Sequence, residues 1–149
     1  MRIREEIAFA NLGLGHLHGR RPHEKTYEIV DNWLNAVKSG DPQKVADLYD
    51  ERGVLLGTVA QNIKQGRSVI KTYFDSFLKK RPVGLINSII FQELGPDHAV
   101  ADGNYTFELD EGGKRILVPA RFTFVVNLGT KLILTHHSSS TPDGKTTSI

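Results

Sequence analysis

A chain of 149 residues, 39% hydrophobic and 24% charged, is sized for one folded domain with a core of its own. It holds no cysteine, which excludes disulfides, thiolate catalysis and Cys-based zinc sites. With 19 basic and 17 acidic residues the net charge is only +2, and the basic residues gather at Arg2, Arg4, Arg20 and Arg21 and again at Lys79, Lys80 and Arg81. Neither group makes the aromatic-interleaved stripe that nucleic-acid binding needs, and the second reads as cations at a helix end.

Residues 1–23 form a leader. Its weakly apolar stretch, 7–17, is interrupted by Asn11 and His16 and entered through Glu5 and Glu6, unlike the unbroken apolar core of a secretory signal. Arg20-Arg21 follows that stretch instead of preceding it, against a twin-arginine signal. No apolar run approaches the ~20 residues of a membrane span. The leader therefore reads as a loosely ordered extension on a cytoplasmic protein.

From His23 the pattern turns helical. Tyr27, Val30, Trp33, Leu34 and Val37 predict an amphipathic helix over 24–39, ended by Ser39-Gly40. Asp41-Pro42 caps a short second helix whose buried face is Val45, Leu48 and Tyr49. The apolar run 53–59 reads as a strand and 61–66 as a polar loop. Val69, Ile70, Tyr73, Phe74, Phe77 and Leu78 make one stripe of a third helix that fills its last turn with Lys79, Lys80 and Arg81 and stops at Pro82. Four strands follow, over 85–94, 99–109, 115–127 and 131–139, joined by turns at Gly95-Pro96-Asp97, Gly112-Gly113 and Gly129. The tail, 143–149, is polar. Helices followed by a strand meander indicate an α+β domain with a mostly antiparallel sheet over 24–142.

That order, with particular residues in place, resembles the NTF2-like superfamily, and within it the branch related to the calcium/calmodulin-dependent kinase II association domain and its small stand-alone, SnoaL-like bacterial relatives. The residues carrying the resemblance are Ser39-Gly40-Asp41, then Gly66 to Ile70 leading to Tyr73-Phe74, then Tyr105-Thr106-Phe107, Val118 to Phe124, and Leu132-Ile133-Leu134 followed by His136 to Ser139 and Pro142. The resemblance implies a cone of three helices on a curved sheet, a cavity between them, and a homodimer or higher oligomer formed through the outer face of the sheet. It covers members that are isomerases, cyclases or dehydratases and others with no known reaction, so fold does not fix function.

Strand alternation puts Arg121, Thr123 and Val125 on one face and Phe122, Phe124 and Val126 on the other. If the aromatic set forms the dimer contact, Arg121 points into the cavity, where its guanidinium would hold the carboxylate of a small organic acid. An internal ion pair or a solvated rim position is the equal alternative. The branch typically surrounds its matching arginine with further arginines. Those positions fall here on the uncharged Asn104 and Ser138, which weakens an anion site.

His136 and His137 point to opposite faces, so they do not chelate one metal together. At most one reaches the cavity, as acid or base or simply as a hydrogen-bonded core histidine, and His136 would share its side with Leu132 and Leu134. Asp102, on a face with Asn104 and Thr106, is the first candidate for a general base, then Asp47 and Glu108; a lone strand Asp is more often solvated. Trp33, Tyr73 and Phe77 wall the cavity or are plain core. His16 and His18 lack acidic partners, and Gly13-x-Gly15 has no preceding strand, so no metal or nucleotide cofactor is expected. Three functions stay open: a small-molecule-binding homo-oligomer, a cofactor-free isomerase, cyclase or hydrolase acting on a hydrophobic ring compound, and a pure oligomerisation module.

Overall fold

The computed structural model of the protein describes residues 22–143. The expectations for Gly13, Gly15, His16, His18 and most of the leader and tail lie outside those residues.

Helix α1 runs Pro22–Ser39, with Glu24 in its first turn and Lys38 in its last, each favourable against the helix dipole. Tyr27, Val30, Trp33, Leu34 and Val37 are all buried, as their spacing predicts. Gly40, at φ 79, ends the helix in a conformation that favours glycine. Helix α2 is the single turn Pro42–Ala46, and the Asp41 side chain accepts from the Gln43 amide at 2.9 Å. Tyr49 does not belong to this helix, as the sequence suggested. It opens strand β1, Tyr49–Leu56, and is fully buried.

The loop expected at 61–66 contains a short strand, β2 at Lys64–Gln65, antiparallel to β1. Helix α3 is Arg67–Phe77, and its apolar stripe runs on into a 3-10 turn at Leu78–Lys80 that Arg81 closes at φ 49. The Arg67 guanidinium donates from Nε and one terminal nitrogen to the Tyr49 carbonyl, at 2.9 and 2.8 Å, tying the start of α3 to the start of β1. Strands β3, Val83–Glu93, β4, His98–Glu111, β5, Lys114–Asn127, and β6, Leu132–Ser140, complete one sheet in the order β2-β1-β6-β5-β4-β3. Its pairings are antiparallel except β1 with β6, which is parallel. The helices pack on one curved face, giving the α+β class that the element order predicts and the cone that the resemblance implies.

The structure reverses one expectation. Phe122, Phe124 and Val126 do not face outward as a dimer patch: they are 4%, 0% and 0% exposed and join the core beneath the helices. Arg121 consequently lies exposed on the other face of the sheet. Alternation fixes which residues share a side but leaves two phases open. Water decides between them, because the phase that buries two phenylalanines, a valine and Ala120 removes far more apolar surface than one burying an arginine and a threonine.

The basic cluster at the end of α3 is largely neutralised. Lys80 pairs with Glu111 at 2.6 Å and Arg81 with Asp110 at 2.7 Å. Among the described residues, no helix is long and apolar enough to cross a membrane.

Candidate functional site

A pocket of about 100 Å³ opens between α3 and the inner face of the sheet. Tyr73 and Phe77 of α3 form one side, and Trp33 of α1 and Phe107 of β4 contribute more aromatic wall. The segment after β1, Gly57 to Val59, forms part of its rim. Gly57 suits that position, because a Cβ there would come closer to the Tyr73 ring than van der Waals contact allows. Lining charges are confined to Lys80 and Glu111, which pair with each other in partial contact with solvent.

Behind the aromatic wall runs a chain of polar groups drawn from α1, β1, β4, β6 and the turn after β1. Trp33 Nε1–H donates to the Tyr49 hydroxyl at 3.0 Å. The Tyr49 oxygen lies 2.7 Å from His136 Nδ1, and His136 Nε2 lies 3.2 Å from the Tyr105 oxygen. Tyr105 donates to Ser138 Oγ at 2.6 Å, and Ser138 Oγ lies 2.7 Å from Thr58 Oγ1. Because each member is matched, these groups can be buried without the penalty of a lost hydrogen bond.

His136 sits in an apolar box. Its ring stacks on Phe124 at 3.9 Å between centroids and meets Trp33 edge-on at 4.9 Å. Burial, with a smaller contribution from the nearby His137, lowers its pKa to about 3, so the imidazole is neutral at physiological pH. Burial also raises the tyrosines: Tyr49 and Tyr105 titrate well above the ordinary range. Burial raises Tyr73 as well, with backbone hydrogen bonds from Val59 and Thr58 acting in the opposite direction.

The inward position of His136 depends on a local irregularity. Val125 pairs with Thr135 while the next residue, Val126, pairs with Ile133, so β6 carries Leu134 as an extra residue. This bulge resets the alternation. His136 therefore shares the inner face with Ile133 and Ser138, and not with Leu132 and Leu134 as simple alternation predicts.

Of the candidates named from sequence, Trp33, Tyr73, Phe77, His136 and Ser138 meet at this pocket. The others do not. Arg121 and His137 are exposed on the opposite face, which corrects the placement of Arg121 as the cavity's cationic anchor. Thr123 donates to the Asp102 carboxylate there, and Asn104 accepts from the Ser88 hydroxyl at 3.0 Å. Asp102 and Asn104 sit on that face because the inner positions of β4 are taken by Ala101, Tyr105 and Phe107. Asp47 is exposed and accepts from Gln43 at 2.7 Å, and Glu108 pairs with Arg115 at 2.8 Å. Among the described residues, no group of three or more His, Asp or Glu is arranged to hold a metal ion.

Sequence reasoning missed Thr58, Tyr49 and Tyr105 as parts of the site. Tyr105 was within reach: it stands two residues from Phe107, so the phase that buries one buries both.

The family model for the calcium/calmodulin dependent protein kinase II association domain matches residues 23–142. Among solved structures, such an association domain from Xanthomonas campestris is 41% identical, with a TM-score of 0.78, covering 85% of this chain and 92% of that one. SalBIII, an epoxide hydrolase/cyclase-like enzyme in pyran ring formation in the polyether salinomycin, is 16% identical with a TM-score of 0.67, covering 80% of this chain and 93% of its own. An NTF2-like protein with a cystatin-like fold from Novosphingobium aromaticivorans is 15% identical with a TM-score of 0.65, covering 79% and 80%. At 15–16% identity the likeness concerns the fold alone. No curated protein matches the sequence.

Proposed function

This chain belongs to the calcium/calmodulin dependent protein kinase II association domain family, and we propose that it is a self-associating domain whose pocket holds a small apolar molecule, or the apolar end of a larger one. The pocket carries this reading: it is walled by aromatic side chains, while a fully matched polar chain ends at its surface. Sites that enclose a whole drug-sized ligand run to ~300–1,000 Å³, and an engineered cavity of ~150 Å³ takes up benzene. A pocket of about 100 Å³ suits a small ring or one end of a longer compound.

The organic acid expected on Arg121 finds little support, since that side chain opens onto the opposite face and Lys80 already has Glu111 as a partner. A cofactor-free isomerase, cyclase or hydrolase would need a free base at the pocket. Asp102 lies on the far side of the sheet and both His136 nitrogens are engaged, so the geometry favours binding over catalysis. Self-association rests on the family, and the exposed Ile90 and Leu117 on the outer face of the sheet are compatible with it.

Trp33, the single tryptophan of the chain, lines the pocket and reports on its occupancy. Titration with small cyclic hydrocarbons and ketones should change its fluorescence saturably and raise the thermal midpoint, and Val118→Phe, which fills the pocket, should abolish both. A response that persists unchanged in Val118→Phe would place binding elsewhere and sink the proposal. Light scattering tests the other half, and a monomer at micromolar concentration would count against it.

A further inference from the structure

We infer that the pocket selects ligands presenting a hydrogen-bond acceptor, such as a ketone, ester or ether oxygen on a small apolar ring, because the buried hydrogen-bond chain behind it can send its protons in one direction only. The inference rests on the small-molecule pocket proposed above and adds the chemistry that it reads.

The direction is set at the far end. An indole N–H can only donate, so Trp33 makes the Tyr49 oxygen an acceptor. Tyr49 is fully buried, and the acceptor facing its own proton is His136 Nδ1 at 2.7 Å. Were Nδ1 protonated, the Tyr49 proton would be buried without a partner, which native structures avoid. Nδ1 is therefore bare, and the neutral ring carries its hydrogen on Nε2, where it faces the Tyr105 oxygen. Tyr105 is free to send its own proton to Ser138 at 2.6 Å. Ser138, accepting from Tyr105, passes its proton to Thr58 at 2.7 Å. The last hydroxyl proton in the series belongs to Thr58, which lines the pocket.

A second donor stands beside it. Backbone hydrogen bonds from Thr58 and Val59 reach the Tyr73 hydroxyl, which leaves its proton as the group it offers to the pocket. Tyr73 lines the same pocket. Two hydroxyl protons thus meet any ligand at this wall. A ligand N–H could approach only spare lone pairs on Thr58 or Ser138 and would leave both protons unmatched, whereas a carbonyl oxygen has two lone pairs to receive them.

Three five-membered rings of similar size separate the possibilities: cyclopentanone, which accepts, methylenecyclopentane, its apolar counterpart, and pyrrole, which donates. Binding to wild type and Tyr73→Phe is followed by Trp33 fluorescence. Removing the Tyr73 hydroxyl should weaken cyclopentanone by about 3–10-fold, the worth of one net hydrogen bond, and leave methylenecyclopentane within about twofold. Pyrrole should not weaken. Adding Thr58→Val to Tyr73→Phe should lower cyclopentanone further. An equal loss for all three rings, or a loss confined to pyrrole, would overturn the inference while leaving the pocket intact as a binding site. Failure of every ring to bind wild type would bring down the pocket reading itself, and this inference with it. The polarity has its own readout in nitrogen-15 NMR of labelled histidine. His136 should show an unprotonated Nδ1 and a protonated Nε2 at neutral pH, and the opposite tautomer would refute the assignment.

Discussion

Replacing His136 by glutamine and following stability from pH 7 to pH 5 isolates what one buried imidazole does to the acid response of this fold. In the folded protein the ring binds a proton with a pKa of about 3, against an ordinary value of 6.5. Between those values the unfolded chain holds a proton that the native state does not, so acid favours unfolding. The native state keeps its full advantage above about pH 6.5 and loses it progressively as the pH falls toward 3. Each pH unit in that window removes up to ~1.4 kcal/mol. Over the 1.5 units from pH 6.5 to 5 the loss is about 2 kcal/mol, a fall of ~4–8 °C in midpoint for a domain of this length. Circular dichroism melts at pH 7, 6 and 5 and constant ionic strength should show wild type falling faster than His136→Gln by that amount. The glutamine variant starts lower at pH 7, since it disturbs a packed ring, but the comparison of slopes is unaffected by that offset. Parallel profiles would mean that the imidazole is not held neutral by burial, and the assignment of its two nitrogens would fall with it.

The phase of β5 can be tested by urea unfolding of two single variants three residues apart. Phe124→Ala should lose ~3–5 kcal/mol, as buried phenylalanines do, while Arg121→Ala should stay within ~0.5 kcal/mol, as exposed substitutions do; a reversal would restore the outward aromatic face. At the pocket rim, Gly57→Ala should lose ~1–3 kcal/mol and alter Trp33 fluorescence, because the new methyl forces the Tyr73 ring from its place against the strand end. An unchanged midpoint and spectrum would show that the ring yields freely.

The element order was legible because it depends on short-range pattern. The stripe of Tyr27, Val30, Trp33, Leu34 and Val37 and the capping pair Asp41-Pro42 each state their structure locally. The site was legible only in part. Trp33, Tyr73 and Phe77 could be placed from helical spacing, yet period-two alternation in β5 admits two phases, and the choice of an outward Phe122 and Phe124 exported the wrong side to Arg121, Asn104 and Thr123. His136 needed knowledge of the extra residue at Leu134, and no local pattern in Leu132 to Thr135 announces it. Tyr49 opens β1 well before the stretch that reads as a strand and Thr58 lies in the turn just past the end of β1, and their partners lie more than 75 residues away: 87 for Tyr49 with His136 and 80 for Thr58 with Ser138. Pairings at such separation are set by tertiary assembly.

The parallel seam between β1 and β6 has a consequence for how the molecule comes together. Strand β1 ends at Leu56 and β6 begins only at Leu132, so on a ribosome the helices and five of the strands emerge before the last wall of the pocket exists. Until β6 arrives, Tyr49 lacks its imidazole partner and one side of β1 has no neighbour to bond. Closing so large a loop is slow compared with forming a helix or a hairpin. Completion of the proposed binding site therefore waits on the last strand of the sheet, and a nascent chain shorter than about Ser138 would have no finished polar chain behind its aromatic wall.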